Sequence, residues 1–278
     1  MLFCVILLLG DNMGFIEFFV IFLAIMLVSS IGFKNYVWFI SIGYGLGISI
    51  TGIMLLFMYH AVLDIYGIIA CVIFILYGFR LSGYLAYREL VGKTYLKNMR
   101  GEIKSGKGMS IFVKCMLWVT CALLYFMMCS PIIFRIANLS VSDTTFKVGM
   151  LVMVFGIILE GAADLQKNAA KKKNPKRFVD TGLYRIVRCP NYLGELIMWT
   201  GVLIAGCTAM SGVLQWVVAI IGYIGIVFVM FSGARRLEIR QDKNYGEDKE
   251  YKKYKKSVPI LNPFIPLYSV KKHKWLVA

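Results

Sequence analysis

Histidine is almost missing from this chain. His60 and His273 are the only two in 278 residues, and they lie far apart in sequence. That excludes a zinc site built on the usual His/Cys spacings, and it excludes a Ser/His/Asp or Cys/His catalytic set. The seven cysteines (Cys4, Cys71, Cys115, Cys121, Cys129, Cys189 and Cys207) form no CxxC pair, and six of them sit in apolar segments. There a thiol is a small packing group. Cys189 is the exception. It lies among arginines, which are expected to lower its pKa, and it reads more readily as a spacer than as a nucleophile. No GxGxxG opens a helix after a strand, and no P-loop occurs. A nucleotide, if bound, is therefore held by loops and helix ends rather than by a Rossmann fold. No basic soluble face or known module points to nucleic acid.

What is abundant is apolar sequence. The chain is 59% hydrophobic with a mean hydropathy of +0.72, well above a soluble domain. Apolar runs of roughly 20 residues read as membrane helices. They fall at 15–33, 36–59, 65–81, 111–130, 148–163, 193–207 and 212–232. The expected fold is an all-α polytopic membrane protein with about seven transmembrane helices. It is expected to form a single membrane domain over 1–278. Within it, 1–150 carries variable N-terminal helices, 151–266 the motif-rich region and 267–278 a tail. In the second span, Gly43, Gly45, Gly47 and Gly52 allow another helix to approach closely. Met1 to Leu9 is a weak match to a signal segment, and Met13 is an alternative start.

The charge is unevenly placed. Lys and Arg number seven in 84–114, eight in 164–191 and twelve from Gly233 onward. The connections at 60–64, 131–147 and 208–211 hold none, two and none. The alternation matches seven spans and, by the positive-inside rule, sets the N-terminus outside and the C-terminus in the cytoplasm.

The densest polar motif is residues 182–195, Gly-Leu-Tyr-Arg-Ile-Val-Arg-Cys-Pro-Asn-Tyr-Leu-Gly-Glu. Arg185 and Arg188 share a face if this is a helical turn. Pro190 ends that turn or starts the next helix. Glu195 lies at the membrane edge, where an ionisable group marks a functional site by default. An interfacial anchor would explain the arginines but leaves Asn191 and Glu195 without a purpose.

Three further clusters fall on the same side. Arg80, Tyr84, Tyr87 and Arg88 share one helix face, either as headgroup anchors or with Tyr84 or Tyr87 turned inward as a hydrogen-bond donor. Glu160 and Asp164 stand four apart and need a polar partner, with Gln166 and Lys167 beside them. Arg236 and Arg240, also four apart, suit a phosphate. The lysines from Lys249 to Lys256 read as a surface face for anionic lipid.

The stretch from Glu160 to 266 resembles the steroid 5-alpha-reductase C-terminal superfamily, closest to its bacterial branch of unassigned function. The resemblance rests on Glu160, Asp164, Gln166 and Lys167, then on 182–195, then on Trp199 and Gly201. It ends on Tyr251, Tyr254 and Pro266, and Arg80-Leu81 extends it loosely upstream. It implies a seven-helix bundle holding NADPH at the cytoplasmic side, with a lipophilic enone entering from the bilayer. Asp164, Lys167, Arg185, Arg188, Asn191, Tyr192, Arg236 and Arg240 would bind the cofactor. Glu195 would orient the nicotinamide or the polar end of the substrate, and Tyr84 or Tyr87 would polarise the substrate carbonyl. Cys189 stands where many relatives have histidine, and the second span lacks a mid-membrane carboxylate.

The related isoprenylcysteine and phospholipid methyltransferases share the R-x-x-R core and use S-adenosylmethionine, so a lipid methyltransferase is the alternative. A non-catalytic protein binding anionic lipid is the second. The expected setting is a bacterial inner membrane or the endoplasmic reticulum. The expected partners are a lipophilic small molecule and membrane lipids, and the expected state is a monomer.

Overall fold

The computed structural model describes residues 15–90 and 108–276, with side chains over 16–87 and 108–276. The apolar stretch at 1–9, Met13, and Lys93, Lys97, Arg100, Lys104 and Lys107 lie outside those residues, as do the side chains of Arg88 and Glu89. Among the described residues there are helices and loops and no strand. The α-helices are α1 (Phe15–Ser29, continued by a 3-10 turn at Ser30–Phe33), α2 (Val37–Ile40), α3 (Ile42–Tyr59) and α4 (Ile65–Leu90). They continue with α5 (Ile111–Ala137), α6 (Thr144–Lys173), α7 (Pro190–Cys207), α8 (Gly212–Tyr245) and α9 (Lys249–Ser257). Six are long and apolar enough to cross a membrane: α1 with its 3-10 turn, α3, α4, α5, α6 and α8. The protein is an all-helical, multi-pass membrane protein. Helix α7 is 18 residues long but carries Asn191 and Glu195 near its start.

Three helices outrun their apolar stretches. α4 continues from 81 to Leu90, α6 from 163 to Lys173 and α8 from 232 to Tyr245. Hydropathy reports contact with lipid. The backbone ladder goes on wherever the polar sequence still favours helix. At 34 residues, α8 is about 51 Å long, against a hydrocarbon core of about 30 Å. Its basic end therefore projects beyond the lipid.

The chain divides into two compact units, Met1–Lys147 with Leu203–Gly222, and Val148–Val202 with Tyr223–Ala278. In the first, α3 and α4 approach at glycine. A Cβ on Gly45 would stand 2.5 Å from the Gly78 carbonyl oxygen. Hydroxyls bridge the same contact, Ser49 to the Ile75 carbonyl at 3.0 Å and Ser82 to the Ile42 carbonyl at 2.9 Å.

The fourth span, expected over 111–130, does not stop there. α5 runs through Pro131 to Ala137. A helical proline leaves the carbonyl four residues back without its amide. Here the Ser130 hydroxyl donates to that Met127 carbonyl at 2.8 Å. The continuation buries Arg135 in the helix rather than leaving it in a loop. Its Nε donates to the Ala205 carbonyl at 2.6 Å, its Nη1 to the Val141 carbonyl at 2.8 Å and its Nη2 to Asp143 at 3.0 Å. Thr208 accepts from Nη2 and donates to Asp143 at 2.6 Å.

In the second unit, α6 and α7 cross backbone to backbone. A Cβ on Gly194 would lie 2.5 Å from the Glu160 nitrogen, and one on Gly201 would lie 2.5 Å from the Met153 nitrogen. The C-terminal segment packs onto this unit. Val270 and Leu276, each 1% exposed, join Cys189, Ala234, Ile260 and Leu261 in one apolar cluster.

Candidate functional site

The motif at 182–195 is shaped by its first glycine. Gly182 adopts φ +60°, a conformation that disfavours a side chain. The Gln166 side-chain oxygen accepts from the Leu183 amide at 2.8 Å and fixes the entry to a 3-10 turn, Gly182–Arg185. Tyr254 donates to the Tyr184 carbonyl at 2.7 Å and holds the turn from the other side. The chain then extends. The amides of Arg188 and Cys189 donate to the carbonyls of Pro259 and Ile260 at 2.9 and 3.0 Å. Pro190 starts α7, where its missing amide costs nothing.

This local path separates the two arginines. They do not share a face: the helical turn stops at Arg185, which is exposed, whereas Arg188 is 2% exposed. The Arg188 Nη2 donates to the Tyr268 carbonyl and lies 3.7 Å from Glu238. Its Nε and Nη1 are buried with no hydrogen-bond partner. A guanidinium carries five donors, and leaving a buried donor unpaired costs about 1–3 kcal/mol. An acceptor-rich ligand would relieve that cost.

Cys189 corrects a second expectation. It is 2% exposed, and burial pushes its thiol up to about 12, outweighing the lowering effect of Arg188 and Lys167. Desolvation disfavours the thiolate more than the nearby cations favour it. The thiol is a packing group.

The carboxylates are buried: Glu160 3%, Asp164 8% and Glu195 7% exposed. Glu160 and Asp164 lie on one face of α6. The Gly194 contact sets the α7 turn carrying Glu195 against the Glu160 backbone. All three acids, with Lys167 and Arg240, are engaged in polar or electrostatic interactions. The Tyr192 ring lies against Gly233, 3.3 Å from a Cβ built there, and within electrostatic range of Glu195, Arg236 and Arg240. Asn191, Lys167 and Arg240 are half-buried, and Arg236 is exposed. The second unit thus holds Asp164, Lys167, Arg188, Tyr192, Glu195, Arg236 and Arg240; Tyr192 lies within electrostatic range of Glu195, Arg236 and Arg240, and Cys189 within range of Lys167 and Arg188. Tyr84 and Tyr87 lie on α4 in the first unit, Tyr84 half-buried and Tyr87 66% exposed.

Sequence reasoning gave Glu238, which stands among Arg235, Arg236 and Arg240, no role. It is 1% exposed, accepts from the Val270 amide at 2.9 Å and pairs with Lys255 at 3.0 Å. Asp242, one turn on, pairs with Lys255 at 2.8 Å and Lys271 at 3.0 Å and accepts from the Tyr251 hydroxyl at 3.0 Å. Lys255 therefore does not belong to a free lysine surface. The available signal was the i, i+4 spacing of two acids in a tail with twelve cations. Among the described residues no group of three or more His, Cys, Asp or Glu side chains could hold a metal ion.

Comparison with the curated proteins and with the solved structures gave no significant match. A family described as protein of unknown function, DUF1295, matches residues 26–258, well over half of the chain. The chain belongs to the DUF1295 family.

Proposed function

We propose that the protein is a membrane-embedded, NADPH-dependent reductase of a conjugated C=C bond in a lipophilic, steroid- or isoprenoid-like substrate. The observation that carries this reading is the burial of Glu195 near Tyr192, whose hydroxyl lies within electrostatic range of Glu195, Arg236 and Arg240. The resemblance of 160–266 to steroid 5-alpha-reductases supplies the chemistry. On this reading α7 is a seventh span, the N-terminus is outside and the basic end of α8 faces the cytoplasm. The setting is a bacterial inner membrane and the protein acts as a monomer.

The residues suit a dinucleotide. Arg185 and Arg236, both exposed, and Arg240 and Lys167, both half-buried, meet phosphate charge. The two unpaired Arg188 donors accept the same kind of partner. Asp164 and Asn191 hydrogen-bond ribose or carboxamide groups, and Glu195 orients the polar end of the pocket. NADPH, when bound, would supply the hydride for the β carbon of the enone, and a proton delivered to the α carbon would complete the reduction. The resemblance assigns the donor to the substrate carbonyl to Tyr84 or Tyr87. Tyr84, the more enclosed of the two, is the first to test.

The test is thermal stability of the purified protein with NADPH, NADH and S-adenosylmethionine in parallel. At a hundred times its Kd, a ligand specific to the folded state adds about 2.7 kcal/mol. Stabilisation by NADPH is expected. It is expected to vanish in Arg185→Ala, with the unliganded melting temperature unchanged because Arg185 is exposed. A shift with S-adenosylmethionine alone would overturn the reductase in favour of a methyltransferase.

A further inference from the structure

A cavity lies where α8 meets the C-terminal segment. An apolar cleft of about 310 Å³ is lined by Ile224, Phe228 and Phe231 of α8 and by Leu267, Trp275 and Leu276. Its walls are held in place. Leu276 is 1% exposed, and Arg235 of α8 donates to the carbonyls of Lys271 and Leu276 at 3.2 and 3.1 Å. The Trp275 ring lies over Phe228, centroids 6.1 Å apart. The cleft faces outward, with Ile224 61% and Trp275 67% exposed.

Its depth follows from α8. The apolar stretch of that helix ends near 232, and Arg235 and Arg236 follow. Ile224 to Phe231 are therefore the last two turns inside the lipid. The segment laid across them has the character of a headgroup-level element: Phe264 at 91% exposed, Ile265 at 54% and Trp275 at 67%, together with lysines. Residues 263–276 contain three lysines and no carboxylate. Lys271 is neutralised by Asp242 at 3.0 Å, which leaves Lys272 and Lys274, both exposed and flanking His273 of the cleft wall.

We infer that this cleft binds one anionic phospholipid, with an acyl chain against Ile224, Phe228 and Trp275 and its phosphate at Lys272 and Lys274. The volume is at the small end of ligand sites and suits a single chain rather than a whole lipid. Charge selects the headgroup. A zwitterionic lipid brings its own cation to a cationic rim, and an anionic one does not. The site does not depend on the reductase reading and shares none of the residues assigned to it.

The experiment is native mass spectrometry of the full chain in neutral detergent. The probes are dioleoyl phosphatidylglycerol, dioleoyl phosphatidylcholine and glycerol 3-phosphate, the last a headgroup without a chain. The phosphatidylglycerol is expected to be retained about tenfold more than the phosphatidylcholine. The double variant Lys272→Gln/Lys274→Gln is expected to remove that preference. Ile224→Trp, filling the cleft at an exposed position, is expected to lower retention of both lipids. Equal retention of the two lipids by the unmodified protein would overturn the site. So would full preference in the lysine variant, or displacement of the lipid by glycerol 3-phosphate. The lysine variant alters only exposed side chains, so it decides the matter even if Ile224→Trp folds poorly.

Discussion

Arg185 and Arg188 carry the same charge three residues apart and sit in opposite environments. The difference comes from the backbone between them. A 3-10 turn ends, an extended pair with 259–260 begins, and the second guanidinium is carried inward. Composition cannot show this, because the partner segment lies 71 residues downstream. The same pairing closes over Cys189. In sequence that thiol looked activated by its arginines. In the fold it is shielded, and its pKa is pushed up to about 12 from an ordinary 9.0. Between pH 7 and 10 it therefore stays protonated. Iodoacetamide treatment followed by peptide mass spectrometry should find Cys189 unmodified across that range in the folded protein and modified after denaturation. A rate at Cys189 that climbs with a midpoint near 9.0 in the folded protein would show that the burial assigned to it is wrong.

At the scale of elements, what the sequence made legible was contact with lipid. Of the seven apolar runs read as spans, six fall on helices long and apolar enough to cross a membrane, and the glycines of α3 mark a real close approach. Their ends were not legible, because helix continues wherever its backbone bonds are met. The Ser130 hydroxyl replaces the amide that Pro131 lacks, and the hydropathy of 111–130 carries no trace of it. The second helix crossing was hidden as well. Gly156 and Gly194 lie 38 residues apart and are ordinary in their own windows. In the structure a Cβ on Gly194 meets backbone at 2.5 and 2.8 Å, from Glu160 and Gly156. Backbone cannot swing aside as a side-chain tip can, so Gly194→Ala should destabilise by about 1–3 kcal/mol. Gly83 on α4 has nothing within 4 Å of a Cβ built there. Gly83→Ala should be neutral or stabilise by about 0.5–1 kcal/mol through helix propensity alone. Melting of both variants in one detergent compares them. Equal losses would mean that α6 and α7 do not cross at Gly194.

At the scale of the whole molecule, each compact unit contains a charged knot that joins segments distant in sequence. In the second unit it is Glu238 and Asp242 with Lys255 and Lys271. In the first it is Arg135, Asp143 and Thr208. Such knots are invisible to hydropathy because they depend on which loops meet. That is why the candidate site was legible as a list of residues but not as an arrangement. The first knot gives a pH signature. Burial alone would raise the Asp143 carboxyl, but bonds from Thr208, the Phe146 amide and Arg135 outweigh it and hold it at about 2. The folded value lies below the unfolded one, so the unfolded chain binds the extra proton and stability rises with pH. The contribution is complete above about pH 4 and is lost as pH falls toward 2. Asp143 is 39% exposed, so solvent screening limits the effect to about 1 kcal/mol, or about 2–4 °C in melting temperature. Asp143→Asn should melt lower than the parent at pH 6 by that amount. The gap should close as both are brought toward pH 2. A gap that stays constant over that range would show that the carboxylate's charge is not what ties residues 135, 143 and 208 together.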